Sequence, residues 1–343
     1  MIKPLKRKLT YLLAIFTISA LLLIWIFFGG TTYAPQKIFF YIRTGSDYAT
    51  VKKELKAQGI LRNTFFFDIL SSAVSYQKHV KPGRYEIHEG MSLMQLVKKL
   101  KRGTQSEIRL VIKKVRTKEE FASLIGKHEF EVHAEEALQF LKDPKKLSPY
   151  GLDTTNVMTI IIPNSYLLYW NGGFEKIFNR LKKEHDLFWE GSRQNKAKNL
   201  GFTEKEIYII ASIVEEETTK TEDKPKIASV YINRLRKGMK LEADPTVKFA
   251  MRNFGLTRIL HEHLTTPSPY NTYFVKGLPP GPICTPSISS IDAVLNASDT
   301  DFLFFVAKPD FSGYSNFTGD YNQHLKNAHA YQDALDKLQQ KQK

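Results

Sequence analysis

"IYIIASIVEEETTK", Ile207 to Lys220, reads as a helix that ends against its own electrostatics. Apolar residues recur at helical spacing as far as Val214, and Thr203 with Glu206 supplies a capping box at the start. Three consecutive glutamates then fill the last turn, where the macrodipole favours cations. With Ile209 at zero and about 100° per residue, Ile210, Ile213 and Val214 define an apolar stripe centred near about 70°. Glu215 falls at about 240°, on the far side, and Glu216 at about 340°, on the flank; Glu217 falls at about 80°, inside the stripe. Glu215 and Glu216 are therefore expected to be solvated, and Glu217 to point where the isoleucines point. A carboxyl held against apolar surface has its charged form disfavoured, as a general acid working near neutral pH requires. The competing reading is an ion pair between Glu217 and Arg234 or Arg236 of the next helix, "KPKIASVYINRLRKG", because structural pairs outnumber active sites.

Two loops beyond that helix carry groups suited to sugars. "DPT" at Asp244 to Thr246 and "SPYNTY" at Ser268 to Tyr273 supply hydroxyls, an amide and aromatic rings. A sugar groove uses rings for stacking and fixed polar groups for hydroxyls. Asp244, Thr246, Tyr270, Asn271 and Tyr273 are thus candidate substrate-binding residues; the alternative is a turn-rich loop whose tyrosines pack. "TTPSPYNTYFVKGLPPGPICTPS" holds six of the fifteen prolines and is either a structured loop or a linker, with its tyrosines favouring the former. His261, His263, His324 and Asn327 show no metal-ligand spacing, so neither a metal nor a cofactor is expected. Ser212 lacks the glycines of a nucleophile elbow.

The N-terminus sets the compartment. Lys3, Lys6, Arg7 and Lys8 precede an uncharged run from Tyr11 to Phe28, "YLLAIFTISALLLIWIFF". As a helix it would span about 27 Å, close to a bilayer core. A cleaved signal peptide is the alternative. Its apolar core would usually be shorter, at about 7–15 residues, and the one passable cleavage point, after Ala34, is followed by Pro35. The basic flank keeps the N-terminus cytoplasmic and places everything from about Thr31 outside. A bitopic membrane protein with an external catalytic or binding region is expected.

The remaining pattern is mixed α+β in separate small domains. Residues 1–9 form a basic tail, 10–30 the membrane helix, 36–115 a small β/α unit, 116–200 a mostly helical connection and 201–343 an α+β catalytic region. The β/α unit has strands at "KIFFYIR", "GRYEI" and "SEIRLVIKK", and helices at "DYATVKKELKAQG", "NTFFFDILSSAVSY" (capped by Asn63) and "SLMQLVKKLKRG". "TIIIPNSYLLYW" is a buried strand or loop, and "DFLFFVAK" a buried strand. The net charge of +15 comes without a nucleic-acid motif, so nucleic acid is not an expected partner, whereas a membrane surface or another polyanion is. With Cys284 as its one cysteine the chain has no intrachain disulfide.

"ASIVEEET", "IASVYINRL", "ADPTV", "PSPYNTY" and "GLPPGPICTPS", in that order, resemble the MltG (YceG-like) endolytic murein transglycosylases. The likeness covers nearly the whole chain. It implies a single-pass enzyme of the bacterial inner membrane, its C-terminal region periplasmic or external, with a LysM-like subdomain matched here best by "KPGRYEIHEGMSLMQLVKKLKRG" within 36–115. It also implies cleavage of the MurNAc-β-1,4-GlcNAc bond of nascent peptidoglycan strands, leaving a 1,6-anhydro-MurNAc end, with peptidoglycan synthases as candidate partners. The catalytic acid of the family, the second glutamate of an E-K-E-T-like motif, corresponds to Glu217. Glu216 departs from the family pattern, which usually has a lysine or arginine, and a neighbouring negative charge would raise the Glu217 pKa further. "IIPNSYLLYW" matches a family segment only loosely. One glutamate suffices if the C6 hydroxyl of the sugar is the nucleophile, whereas ordinary glycosidases need two carboxylates. A hydrolytic muramidase and a non-catalytic peptidoglycan-binding scaffold are the alternatives.

Overall fold

The computed structural model of the chain describes residues 3–29, 32–33 and 37–341; the Ala34–Pro35 junction lies outside them. The chain forms two compact units, and they are not the continuous segments expected from sequence. Residues 1–110, 128–133 and 167–173 make the first, and residues 111–127, 134–166 and 174–343 the second.

The first unit runs α1 (Lys3–Phe28), β1 (Lys37–Ile42), α2 (Tyr48–Ala57), α3 (Phe65–Ala73), β2 (Gly83–His88), α4 (Leu93–Arg102) and into β3 (Ile108–Val111). Its local signals act as their chemistry dictates. Asp47 accepts from the Thr50 amide at the start of α2, and Ser92 with Gln95 closes a capping box on α4. Asn63 accepts from the Phe65 amide, although the cap position itself is Thr64. Strands β1 and β2 pair antiparallel with Phe40 opposite Tyr85, and both side chains enter a core with Val51, Leu55, Phe67, Tyr76, Leu96 and Leu100. The Lys8–Phe28 stretch of α1 is long and apolar enough to cross a membrane and is not covered by protein, as holds for an anchor and equally for a signal sequence.

The second unit begins with α5 (Lys118–Lys127), α6 (Ala134–Lys142) and α7 (Pro144–Leu147). "TIIIPNSYLLYW" becomes a 3-10 turn, Val157–Ile160, followed by β4 (Ser165–Leu168). Then come α8 (Gly173–Trp189), α9 (Ser192–Leu200), α10 (Glu204–Glu217), α11 (Lys224–Arg236), α12 (Asp244–Ala250), α13 (His261–Leu264) and α14 (Ile288–Leu295). A hairpin of β5 (Phe304–Ala307) and β6 (Ser315–Thr318) packs against α15 (Tyr321–Lys341). "DFLFFVAK" is thus a strand but only half-buried, because a two-stranded sheet cannot cover both of its faces. The described strands form three two-stranded sheets, β1–β2, β3–β4 and β5–β6.

Helix α10 is the centre of this unit. Every residue from Ile207 to Val214 is buried, against α9, α11, α12 and α14. Between Ile207 and Val214 the helix therefore has no exposed side, in contrast to the one-sided stripe expected from spacing. Each fully buried Ile or Val contributes about 1.5–3 kcal/mol, so this helix is held in place firmly. The Tyr208 hydroxyl, buried with it, donates to the Ile161 carbonyl at 2.5 Å.

The proline-rich stretch is a structured loop. Residues 265–287 contain no helix or strand, yet Asn271, Thr272 and the run from Gly281 to Pro286 are buried. Buried backbone must find partners. The Ile283 amide donates to the Ser212 hydroxyl at 3.1 Å, and that hydroxyl donates to the Ile209 carbonyl. The Thr285 amide donates to the Val115 carbonyl at 2.8 Å, while its side-chain oxygen accepts from the Val115 amide. At Gly281 a Cβ would lie 2.0 Å from the Thr155 carbonyl oxygen, so the close approach admits no side chain. The loop is thereby stitched along the last turns of α10 and beside residues 113–116.

Candidate active site

The three glutamates at the end of α10 are all partly buried, so Glu215 and Glu216 are not the solvated residues expected. They differ in what reaches them. Glu215 meets the Lys224 ammonium at 3.2 Å and accepts from the hydroxyls of Ser287 at 2.6 Å and Ser290 at 2.5 Å. Burial pushes its pKa up, but those three partners outweigh burial and hold it below the usual carboxylate range. Glu216 lies 2.9 Å from Lys114 and 3.0 Å from Arg116, and again the cations more than offset burial and lower its pKa. Both carboxylates stay charged at neutral pH.

Among the described residues no cation is in contact with Glu217. The Tyr231 hydroxyl of α11 donates to its Oε1 at 2.6 Å. The arginine pairing that competed with catalysis does not form. Arg234 spends its guanidinium on the Leu303, Lys240 and Leu241 carbonyls and on Glu242, and Arg236 donates to the Leu200 carbonyl. Burial is the largest influence on Glu217 and raises its pKa to about 7. The Tyr231 bond and the more distant Lys248 pull it down, and the charges of Asp244 and Glu216 push it up. The helix end adds to this, since α10 has no basic residue in its last turn to offset the dipole. A carboxyl poised near neutrality can give up a proton and take it back.

The first turn of α12, where "DPT" is helical and not the loop expected, and the proline-rich loop bring other groups toward this carboxyl. Asp244 is exposed at the first position of α12 and accepts from the Tyr273 hydroxyl at 2.8 Å. The negative charges of Asp244 and Glu217 both push the partly buried Tyr273 hydroxyl pKa up, after burial itself. Thr246 and Asn271 do something else. Both are fully buried. The Thr246 hydroxyl donates to the Ala243 carbonyl and lies 2.9 Å from the Thr272 hydroxyl. Asn271 donates to the Leu264 and Thr266 carbonyls and accepts from the Tyr273 amide. Their polar atoms are committed to the loops, so they fix the positions of Asp244 and Tyr273 and present nothing to a ligand. Tyr270 is half-buried, with its ring 4.7 Å from Phe249, which covers part of it.

Tyr231 and Lys248 were not singled out by sequence. Tyr231 follows Ile227 and Val230 on the buried side of α11, and a buried tyrosine hydroxyl needs a partner; that spacing was the available signal. Among the described residues no group of three or more His, Cys, Asp and Glu side chains converges as a metal site would require. A cavity of about 610 Å³ bounded by Lys182, Asp186, Glu190 and Glu204 shares no residue with the surroundings of Glu217.

A family model described as the YceG-like family matches residues 40–330. The chain belongs to the YceG-like family. This YceG-like chain is 29% identical over 288 residues to a Bacillus subtilis protein named endolytic murein transglycosylase, covering 77% of this chain and 79% of that one. It is 27% identical over 299 residues to a Streptococcus pneumoniae protein of the same name, where the match covers 78% of this chain but 53% of the longer relative. The 2.6 Å crystal structure of a yceG-like protein from Listeria monocytogenes aligns with a TM-score of 0.55 at 28% identity, over 85% of this chain and 98% of that chain.

Proposed function

We propose that this YceG-like chain is a membrane-anchored endolytic peptidoglycan transglycosylase in which Glu217 is acid and then base. The observation that carries the reading is the state of Glu217. Two of three adjacent glutamates are held charged, Glu215 by two serine hydroxyls and Lys224 and Glu216 by Lys114 and Arg116, and the third is kept close to half-protonated at neutral pH. The relatives named endolytic murein transglycosylase support peptidoglycan as the substrate. The long uncovered apolar helix α1 supports anchoring, with the basic N-terminus cytoplasmic. The strand–helix–helix–strand order β1–α2–α3–β2 supports reading residues 36–115 as the LysM-like part.

The chemistry follows from one carboxyl. Protonated Glu217 gives its proton to the glycosidic oxygen between MurNAc and GlcNAc as the C1–O bond breaks. The developing positive charge on the sugar ring is then met by the C6 hydroxyl of the same MurNAc. That hydroxyl attacks C1 while Glu217, now a carboxylate, removes its proton, so the 1,6-anhydro end forms without water and the enzyme returns to its starting state. Tyr231 holds Oε1 and leaves Oε2 to carry the proton. Asp244 contributes negative charge toward the ring, and Tyr273 and Tyr270 offer aromatic edges to the strand. Thr246 and Asn271 hold the loops that carry them.

One observation also favours a hydrolytic muramidase. Asp244 is exposed and its charge is felt by Glu217, so it could activate a water. The two readings differ in product. Purified glycan strands digested by the full chain and by Glu217→Gln are compared by mass spectrometry. Anhydro-ended fragments from the wild type and none from the variant are expected. Reducing ends would assign hydrolysis, and equal cleavage by both proteins would move the acid elsewhere. No cleavage by either would leave a glycan-binding scaffold.

A further inference from the structure

We propose that α3 of the first unit is a membrane-docking surface whose apolar stripe enters the headgroup and acyl boundary beside the point where α1 leaves the bilayer. This rests on α1 being a membrane span. Phe65 is 60% exposed and Ile69 is 46% exposed, and the two stand four residues apart on one helix face. Ala73 continues the same stripe, also exposed. Single exposed apolar residues are ordinary on soluble proteins, but a continuous stripe headed by a phenylalanine marks a contact surface. The opposite face of α3 is already used, with Phe67 and Leu70 in the core.

What covers the stripe is indicated by its neighbours. The Phe66 ring lies edge-on to Phe27, in the last turn of α1, at 5.8 Å between centroids, and the Phe65 ring lies 5.2 Å from Phe66. The exposed stripe therefore continues directly from the end of the span. The chain beyond α1 is also tied down. The Thr32 amide donates to the Met91 carbonyl, the Thr32 hydroxyl to the His88 carbonyl, and the Tyr33 amide to the Ile60 carbonyl. With these bonds the unit stays at the membrane surface and does not swing on a free tether.

The polar groups around the stripe suit a lipid surface. Arg62, exposed, sits over the exposed Tyr33 ring at 4.0 Å, an aromatic and cation pairing found at membrane interfaces. Asp68, the acid within α3, is turned to α2, where it accepts from the Tyr48 hydroxyl and pairs with Lys52. No carboxylate then interrupts the Phe65, Ile69, Ala73 line. An amphipathic face of this kind lies in the interface plane, and fixing α3 there would set the orientation of the first unit at the membrane.

The test uses the full chain with Cys284→Ala, carrying Phe65→Cys or Ile69→Cys, each labelled with an environment-sensitive fluorophore. Leu22→Cys, within α1, is the control. Each is reconstituted in phosphatidylethanolamine and phosphatidylglycerol vesicles with and without nitroxide-bearing lipids. Labels at 65 and 69 are expected to be quenched about twofold or more by nitroxides near the headgroups, and the label at 22 by nitroxides deeper in the chain region. Quenching at 22 with none at 65 or 69 would overturn the docking surface and leave the anchor standing. Absence of quenching at all three positions would remove the anchor, and the docking surface with it.

Discussion

Replacing Glu217 with glutamine should make the protein more stable, and only at pH values where the glutamate is asked to ionise. In the folded chain the Glu217 pKa is raised from 4.5 to about 7. An acid whose folded pKa is raised favours the folded state while protonated. Its contribution is fully present below pH 4.5 and is lost as pH rises through 7. The gap of about 2.5 units, at about 1.4 kcal/mol each, makes the loss about 3 kcal/mol by pH 8.5. Glutamine keeps an oxygen for the Tyr231 hydroxyl and never ionises, so it escapes that loss. For a unit of this size about 3 kcal/mol corresponds to roughly 6–12 °C in melting temperature. Melting curves of the full chain in detergent, wild type against Glu217→Gln, should nearly coincide in their offset at pH 4 and separate progressively to pH 8.5. A constant offset across that range, or a variant that melts lower at pH 8.5, would refute the claim that burial strains this carboxylate.

Three further expectations follow from individual contacts. Tyr231→Phe removes the hydrogen bond that favours the Glu217 carboxylate, so its pKa should rise by about 1 unit, and the alkaline limb of the pH–rate profile should move up by the same amount; an unmoved limb would separate Tyr231 from the acid. Glu215→Ala leaves Lys224, whose side chain is 8% exposed, without its carboxylate and should cost about 3–5 kcal/mol in urea unfolding. Gly281→Ala drives a methyl into the Thr155 carbonyl and should cost about 1–3 kcal/mol, with activity falling as the loop beside α10 shifts.

The spacing around "IVEEET" selected Glu217, but by reasoning that the fold supports only in part. Helix α10 is buried all round, so no stripe separates the three glutamates along its length. What separates them is supplied from far along the chain: Lys114 and Arg116 come from about a hundred residues upstream, and Ser287 and Ser290 from more than seventy downstream. Such pairings are set by tertiary packing and leave no local pattern. The cap of α10 was legible because it acts within three residues, at Thr203 with Glu206. Thr246 and Asn271 show the opposite case. Polar residues there read as ligand contacts, but the buried first turn of α12 and the buried proline-rich loop need them to satisfy their own backbone.

The most direct test of the single-glutamate chemistry is digestion of glycan strands by the wild-type chain in water enriched in oxygen-18. If the C6 hydroxyl is the nucleophile, every new end formed at C1 is a 1,6-anhydro sugar free of the label. New reducing ends, labelled in excess of the exchange seen without enzyme, would show that water attacks C1, and would contradict Glu217 acting alone.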